Sequence, residues 1–398
     1  MAHKGEQWNE SETYLDSLTL RKVRRITKVG LYNQTPTYHT NTAFTADGED
    51  LIFASAREGG SALMKAHVST GDITQLTEQF PGVGCLDEMH KGNGTCVGNG
   101  LGVTMLACIA PRTRRAVFVQ ARSLRMVHLD TLEESVLLAD FGQESIAGMP
   151  SIDPLETYAI LPLMPAHPEL RHNHRPAQTY LDYFGKYPPY LKIIKVPLAG
   201  GAPEVFYEEQ GVGGAHCPHN PVDGDLVLLD RDPQPKLWAG GGDINRIWAY
   251  QISTGRLTEL PSQDGGKFQV HSAWTWDGQG VIYHGPGRNG GIFIGIIHPD
   301  GTPWREYYFG LMTSYGHVSA MAGRPAIILD GNLSSDKIML LYYDQQKPLV
   351  EVIAQHNTNW GGLPWQYSHP HCQCDPTGRW ISFNSVNRGR ADVFVVEV

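Results

Sequence analysis

FTADGEDLIFAS, residues 44–55, sets the reading of the chain. An Asp-Gly turn leads into an apolar run of strand-forming residues. SALMKAHVSTGDITQLTE at 61–78 then adds further strands around a second polar turn. Glycine supplies the positive φ such turns need. The same unit returns as WTWDGQGVIYHG at 274–285 and IFIGIIHPDGTPWREYYF at 292–309. Short alternating runs rich in Val, Ile, Phe and Tyr recur throughout, while helical periodicity is confined to the first twenty residues and one insertion. The chain therefore reads as all-β.

Turn anchors fall at Asp47, Pro111 to Arg115, Asp153, Asp223, Asp277, Gly323 and Asp375. Their spacing of roughly fifty residues is that of propellers and arrays. A seven-bladed β-propeller, a single domain over 1–398, accounts together for the length, the strand pattern and the 44 glycines. The last unit, after HPHCQCDPTGRWISFNS, ends with ADVFVVEV, one strand short. LRKVRRITKVG near the N-terminus resembles the missing strand, so the ring is expected to close by pairing residues 22–29 with the final blade. Closure removes an edge that would invite aggregation. Residues 164–190 form an insertion carrying Arg171, Arg175, Lys186 and Tyr187, which reads as a lid over one face of the ring.

At 398 residues and 41% hydrophobic content the chain can bury a large core. A net charge of −9, with no basic block denser than RKVRR at 21–25, gives no footprint for nucleic acid. No window is long and apolar enough to span a bilayer, and the polar, acidic start lacks the apolar run of a secretory signal, so the expected location is the cytoplasm. Six cysteines do not make a disulfide framework. Cys372 and Cys374 are too close for an ordinary bridge and are read as packing residues.

WQYSHPHCQC, residues 365–374, concentrates the chemistry. On a strand, residues two apart point the same way, so His369 and His371 would present both imidazoles on one face, with Pro370 marking an edge or strand start. That geometry suits a metal, to which Gln366 can add an amide oxygen. His271 and His317 stand at comparable places before turn anchors, as do His216 and His219, and strand starts in a propeller converge on the channel at one end. Imidazoles from several blades are expected to meet at one mouth. The bland alternative is a set of packed histidines in a non-catalytic propeller that binds sugar or protein; a metal-dependent hydrolase is another.

HNTNWGGLPWQYSHPHCQCDPTGRWISFNS resembles the C-terminal blade of oligogalacturonate lyases, with their H-x-T-x-W stretch followed by Q-x-x-H-P-H. RIWAYQ and VHSAWTWDG resemble the family's R-x-W and H-x-x-W-x-x-D-G segments. The resemblance is specific over 246–398 and architectural before it. It implies a seven-bladed propeller that binds a divalent metal, manganese by preference, and cleaves short uronic-acid oligosaccharides by β-elimination. It implies His317, Gln366, His369 and His371 as metal ligands and His271 as proton-abstracting base, with Arg246 beside it. Arg171, Arg175, Tyr187, His216 and His219 are candidates for holding substrate. Ser272 and Trp365 depart from the family, which places an acidic residue after the base histidine and a basic one before the ligating glutamine. The metal site looks kept and the sugar contacts altered.

Those residue types suit the reaction. The C5 proton of a uronide is poorly acidic because the adjacent carboxylate is already negative. A divalent ion on that carboxylate neutralises it and stabilises the developing dianion. Three neutral imidazoles and an amide would leave the ion its full charge and open positions. A cation and an arginine nearby disfavour a protonated histidine, leaving it ready to accept a proton.

Overall fold

The structure is a computed structural model and describes residues 3–57, 60–81, 103–165, 186–214, 216–231, 245–263, 269–286, 291–309, 316–331, 335–363, 368–387 and 389–398. Its named elements are all strands. Three sheets have four antiparallel strands in chain order: Val103–Ala110 to Glu134–Leu138, Val270–Trp274 to Pro303–Phe309, and Val318–Ala320 to Leu349–Gln355. A five-stranded and a three-stranded sheet fall between the first two in the chain. The sheets stand in a propeller arrangement. The inner strand Val318–Ala320 touches Val270–Trp274 on one side and Gln373–Cys374 on the other, and Val103–Ala110 touches Ser151–Ile152.

The eleven-stranded sheet carries both chain termini. Lys22–Arg25 pairs antiparallel with Arg390–Glu397, Val23 opposite Val396, and this group meets Tyr32–Gln34 at the parallel pair Ala391–Tyr32. The helical periodicity of the first twenty residues is overridden. Gln7–Asn9 pairs with Asp72–Gln75, and Glu12–Leu15 with Lys22–Arg25. An open sheet edge offers a ladder partner for every backbone group, which outweighs a weak local preference. Among the described residues no helix is long and apolar enough to cross a membrane.

The turn anchors work as their residue types dictate. Thr45 Oγ1 and the Glu49 amide donate to Asp47 Oδ1, at 2.6 and 3.0 Å; Thr275 Oγ1 and the Gln279 amide do the same to Asp277, at 2.7 and 3.1 Å. Gly48 and Gly278 follow at φ +71° and +70°, where a side chain would be strained. Side chains on the strand faces then weld each sheet to the next. Ile52 and Leu63 pack against Phe118 and Val127, Leu228 and Ile247 against Tyr283 and Phe293, and Ile328 and Leu340 against Ile381 and Phe383. Each such side chain contributes about 1.5–3 kcal/mol on burial. Cys372 and Cys374 belong to the last of these clusters, as their reading as packing residues requires, with burial pushing the Cys374 thiol up to about 12.

Polar contacts tie the N-terminal segment to the last strand. Asp392, 1% exposed, accepts from Arg25 Nη2 at 2.7 Å, Thr27 Oγ1 at 3.1 Å and Asn33 Nδ2 at 3.3 Å. Removing a buried carboxylate strands its partners, so Asp392→Ala is expected to cost about 3 kcal/mol. Urea unfolding checks this: the midpoint should fall with an unchanged slope, and an unmoved midpoint would disprove it.

Candidate metal centre

The segments that enter the inner strands bring six histidines and a tyrosine together. Ring centroids of His271 and His317 lie 4.2 Å apart, His317 and His371 4.4 Å, His317 and His369 5.2 Å. Tyr38 sits among them, 5.2 Å from both His317 and His371 and stacked on His216 at 4.9 Å. His39 is 5.2 Å from His317. One nitrogen from each of His317, His369 and His371 lies within 4.8 Å of the other two, a spacing that can hold one ion. His369 Nδ1 is buried and has no hydrogen-bond partner among the described residues. A buried lone pair without a donor is costly unless something occupies it, so this donor set fits a metal.

Neither His371 nor His271 is aimed by simple strand alternation. His371 precedes the strand Gln373–Cys374 and has φ +47°, in the left-handed region. The pairing of His369 and His371 on one strand face is thus replaced by a loop turned at His371, which is held there because its amide donates to Asp330 Oδ2 at 3.1 Å. His271 has φ +52° where the register of Val270–Trp274 against Val281–Pro286 shifts. A bulge of this kind re-aims a side chain.

Asp330 organises the ligands. It is 1% exposed and accepts the His317 amide at 2.6 Å on one oxygen, and His317 Nδ1 at 3.1 Å and the His371 amide on the other. Acceptance by the carboxylate fixes the proton on His317 Nδ1 and frees Nε2 for a ligand, the usual outer-shell arrangement of metal histidines. In this structure Tyr38 Oη lies 3.0 Å from that Nε2. Burial raises Asp330, the His317 and His371 amides it accepts lower it, and a cation held by these histidines would favour its carboxylate form. Burial and the neighbouring imidazoles hold His39, His271 and His317 well below the usual histidine range, and burial with His369 does so for His371, so the cluster is neutral.

Arg246 ion-pairs with Asp230 Oδ2 at 3.3 Å, and its charge acts on both His271 and Tyr38. Ser272 Oγ donates to Asp230 Oδ1 at 3.0 Å, so the serine next to His271 is served by a carboxylate from another strand. Burial holds Asp230 above the ordinary carboxylate range.

The other expected site residues divide. His216 joins the cluster through Tyr38. His219 stands apart from it: its Nδ1 lies 3.2 Å from Ser151 Oγ and its Nε2 3.2 Å from Tyr158 Oη, which ties two sheets together. It lines, with His39, Trp274 and Gln373, a channel cavity of about 410 Å³ that the three metal-spaced histidines do not border. Tyr187 lies under the Lys186 ammonium, 4.7 Å away. Gln366, Arg171 and Arg175, together with most of the insertion, lie outside the described residues.

Tyr38, His39, His284, Asp230 and Asp330 were missed by residue reasoning. The acids had a signal: each closes an apolar strand, in LVLLD and AIILD, and each amide donates to the carbonyl of a cluster histidine, Asp230 to His216 and Asp330 to His317.

No protein-family model and no curated protein sequence matches the chain. Among solved structures it is similar to an oligogalacturonate lyase from Vibrio parahaemolyticus, at 20% identity and a TM-score of 0.78, over 99% of this chain and 98% of that one. An oligogalacturonate lyase in complex with manganese gives the same identity and TM-score over 100% of this chain and 98% of that one. The likeness carries the fold, which is that of the family its motifs resemble.

Proposed function

We propose that this protein is a metal-dependent lyase that cleaves short uronic-acid oligosaccharides by β-elimination. The observation that carries the proposal is the meeting of His317, His369 and His371 nitrogens within 4.8 Å of one another, with His271 in ring contact at 4.2 Å. His317, His369 and His371, joined by Gln366, would hold a divalent ion, manganese on the chemistry of an N and O donor set without thiolate. When bound, the ion would supply Lewis-acid neutralisation of the substrate carboxylate. His271 takes the C5 proton on Nε2. The C5–H electron pair forms the C4–C5 double bond, and the C4–O4 pair leaves with the glycosidic oxygen, which is protonated by solvent. Arg246 binds the uronate carboxylate, exchanging its 3.3 Å contact with Asp230 Oδ2 for a bidentate one.

The architecture we infer is one domain of seven blades. Counting the eleven-stranded sheet as two blades that meet at the Ala391–Tyr32 pair makes seven. Packing of Phe53 and Met64 against Trp380, Val393 and Val395 supplies the remaining interface, and Lys22–Arg25, beside the last strand, would be the fourth strand that closes the ring. Arg171, Arg175 and Tyr187 would hold substrate carboxylates.

Incubation with a panel of uronides is expected to generate the ultraviolet absorbance of an unsaturated product, to lose it on treatment with chelator and to regain it with manganese. Reducing ends without that absorbance would mean hydrolysis. Binding without turnover would mean a recognition module, and turnover indifferent to chelator would remove the metal from the mechanism.

A further inference from the structure

His271 has a partner behind it. His284, on the second strand of the same sheet, places Nε2 2.9 Å from His271 Nδ1, and the Gly316 carbonyl oxygen lies 2.9 Å from that same nitrogen. A carbonyl oxygen only accepts, and His284 as well as His271 reaches it, so one of the two facing nitrogens, His271 Nδ1 or His284 Nε2, carries the proton between them. With that proton on His271, its lone pair is on Nε2, the nitrogen a base needs, and His284 carries its own proton on Nδ1. Both partners are fixed. His284 is 1% exposed and is pushed down to about 3 by burial, which outweighs the raising effect of its bond to the Gly316 backbone and keeps it neutral. Gly316 is locked by crowding: a Cβ there would lie 2.0 Å from Asp330 Oδ1 and 2.4 Å from the Gly331 carbonyl oxygen.

We propose that His284 is the positioning residue of the base, holding His271 in the Nδ1–H tautomer and accepting a stronger hydrogen bond from it once His271 gains the C5 proton. This rests on the reading of His271 as base. A neutral imidazole does for orientation what a carboxylate does elsewhere, without adding an anion beside a cation site. Its bond is charge-assisted only after proton transfer, so it favours the transition state over the resting enzyme.

The test compares His284→Leu, which removes the acceptor, with His284→Gln, which restores one through its amide oxygen. Leu is expected to lower kcat about 10- to 100-fold, the range of a hydrogen bond to a charged group, with KM and manganese affinity unchanged and with Gln recovering most of the loss. Nitrogen–proton correlation spectra of ring-labelled, metal-free protein read the His271 tautomer without reference to activity, its signals assigned by their absence in His271→Asn. The Nδ1–H pattern is expected in the parent and the Gln variant and should be perturbed in Leu. An unperturbed pattern with unchanged kcat, or a kcat loss matched by lost metal affinity, overturns the proposal. A perturbed pattern with undiminished kcat instead removes His271 as base while leaving His284 its partner, so the two failures are distinguishable.

Discussion

His271→Asn is expected to lower turnover of a uronide by about 10³-fold, within the range general-base catalysis contributes, while the protein binds manganese as before. Asparagine keeps a side-chain N–H that can donate to the Gly316 carbonyl but has no basic nitrogen, so the loss isolates proton abstraction from packing. His271 lies outside the trio whose nitrogens come within 4.8 Å of one another, which is why metal uptake should survive. Absorbance of the unsaturated product gives the rate, and elemental analysis of the dialysed protein gives the metal content. Turnover within tenfold of the parent would remove His271 as base; loss of metal along with activity would make it part of the ion's support instead.

Asp330→Ala should weaken manganese binding about 10- to 100-fold, as loss of an outer-shell carboxylate does. The carboxylate accepts three N–H groups, two from His317 and one from His371, and so controls ligands that arrive on neighbouring sheets. Without it the His317 ring is free to turn or change tautomer, and the left-handed backbone at His371 loses the acceptor that sustains it. Stranded donors cost about 1–3 kcal/mol each, so stability should fall as well. Asp330→Asn, with one carbonyl oxygen in place of two acceptors, should fall between parent and Ala in both respects. Calorimetric titration with manganese, alongside urea unfolding of the metal-free proteins, separates the two effects. A full-strength metal site in the Ala variant would show that the histidines need no such frame.

Much of this was legible in the residues because the signals are local. An Asp-Gly pair after a threonine folds the same way wherever it occurs, so Asp47 and Asp277 could be read as equivalent turns. The apolar strands between them follow from period and composition. The similarity of residues 22–29 to a strand anticipated the observed pairing of Val23 with Val396. The aim of individual side chains was less accessible. Alternation governs only extended backbone, and His271 and His371 leave it. What turns them is supplied from far along the chain, by Gly316 and Asp330. Tyr38 and His39 were hidden for a related reason: TYHTNT has no period of its own, and distant partners bring it to the centre, among them Gln373, which donates to the Tyr38 carbonyl oxygen at 3.1 Å, and Val318, whose carbonyl oxygen lies 2.7 Å from His39 Nδ1. The first residues were misread because their partner strands, not their own sequence, decide their shape.

The apolar clusters that weld sheet to sheet run up to the polar centre: Cys217, Ile247, Val318, Leu329 and Cys372 belong to them and are the chain neighbours of His216, Arg246, His317, Asp330 and His371. Packing and chemistry thus share the same stretches of backbone. An acid in place of Ser272, which is 1% exposed and donates to Asp230, would set two buried carboxylates side by side, so the charge of this centre can drift only when neighbouring positions change with it.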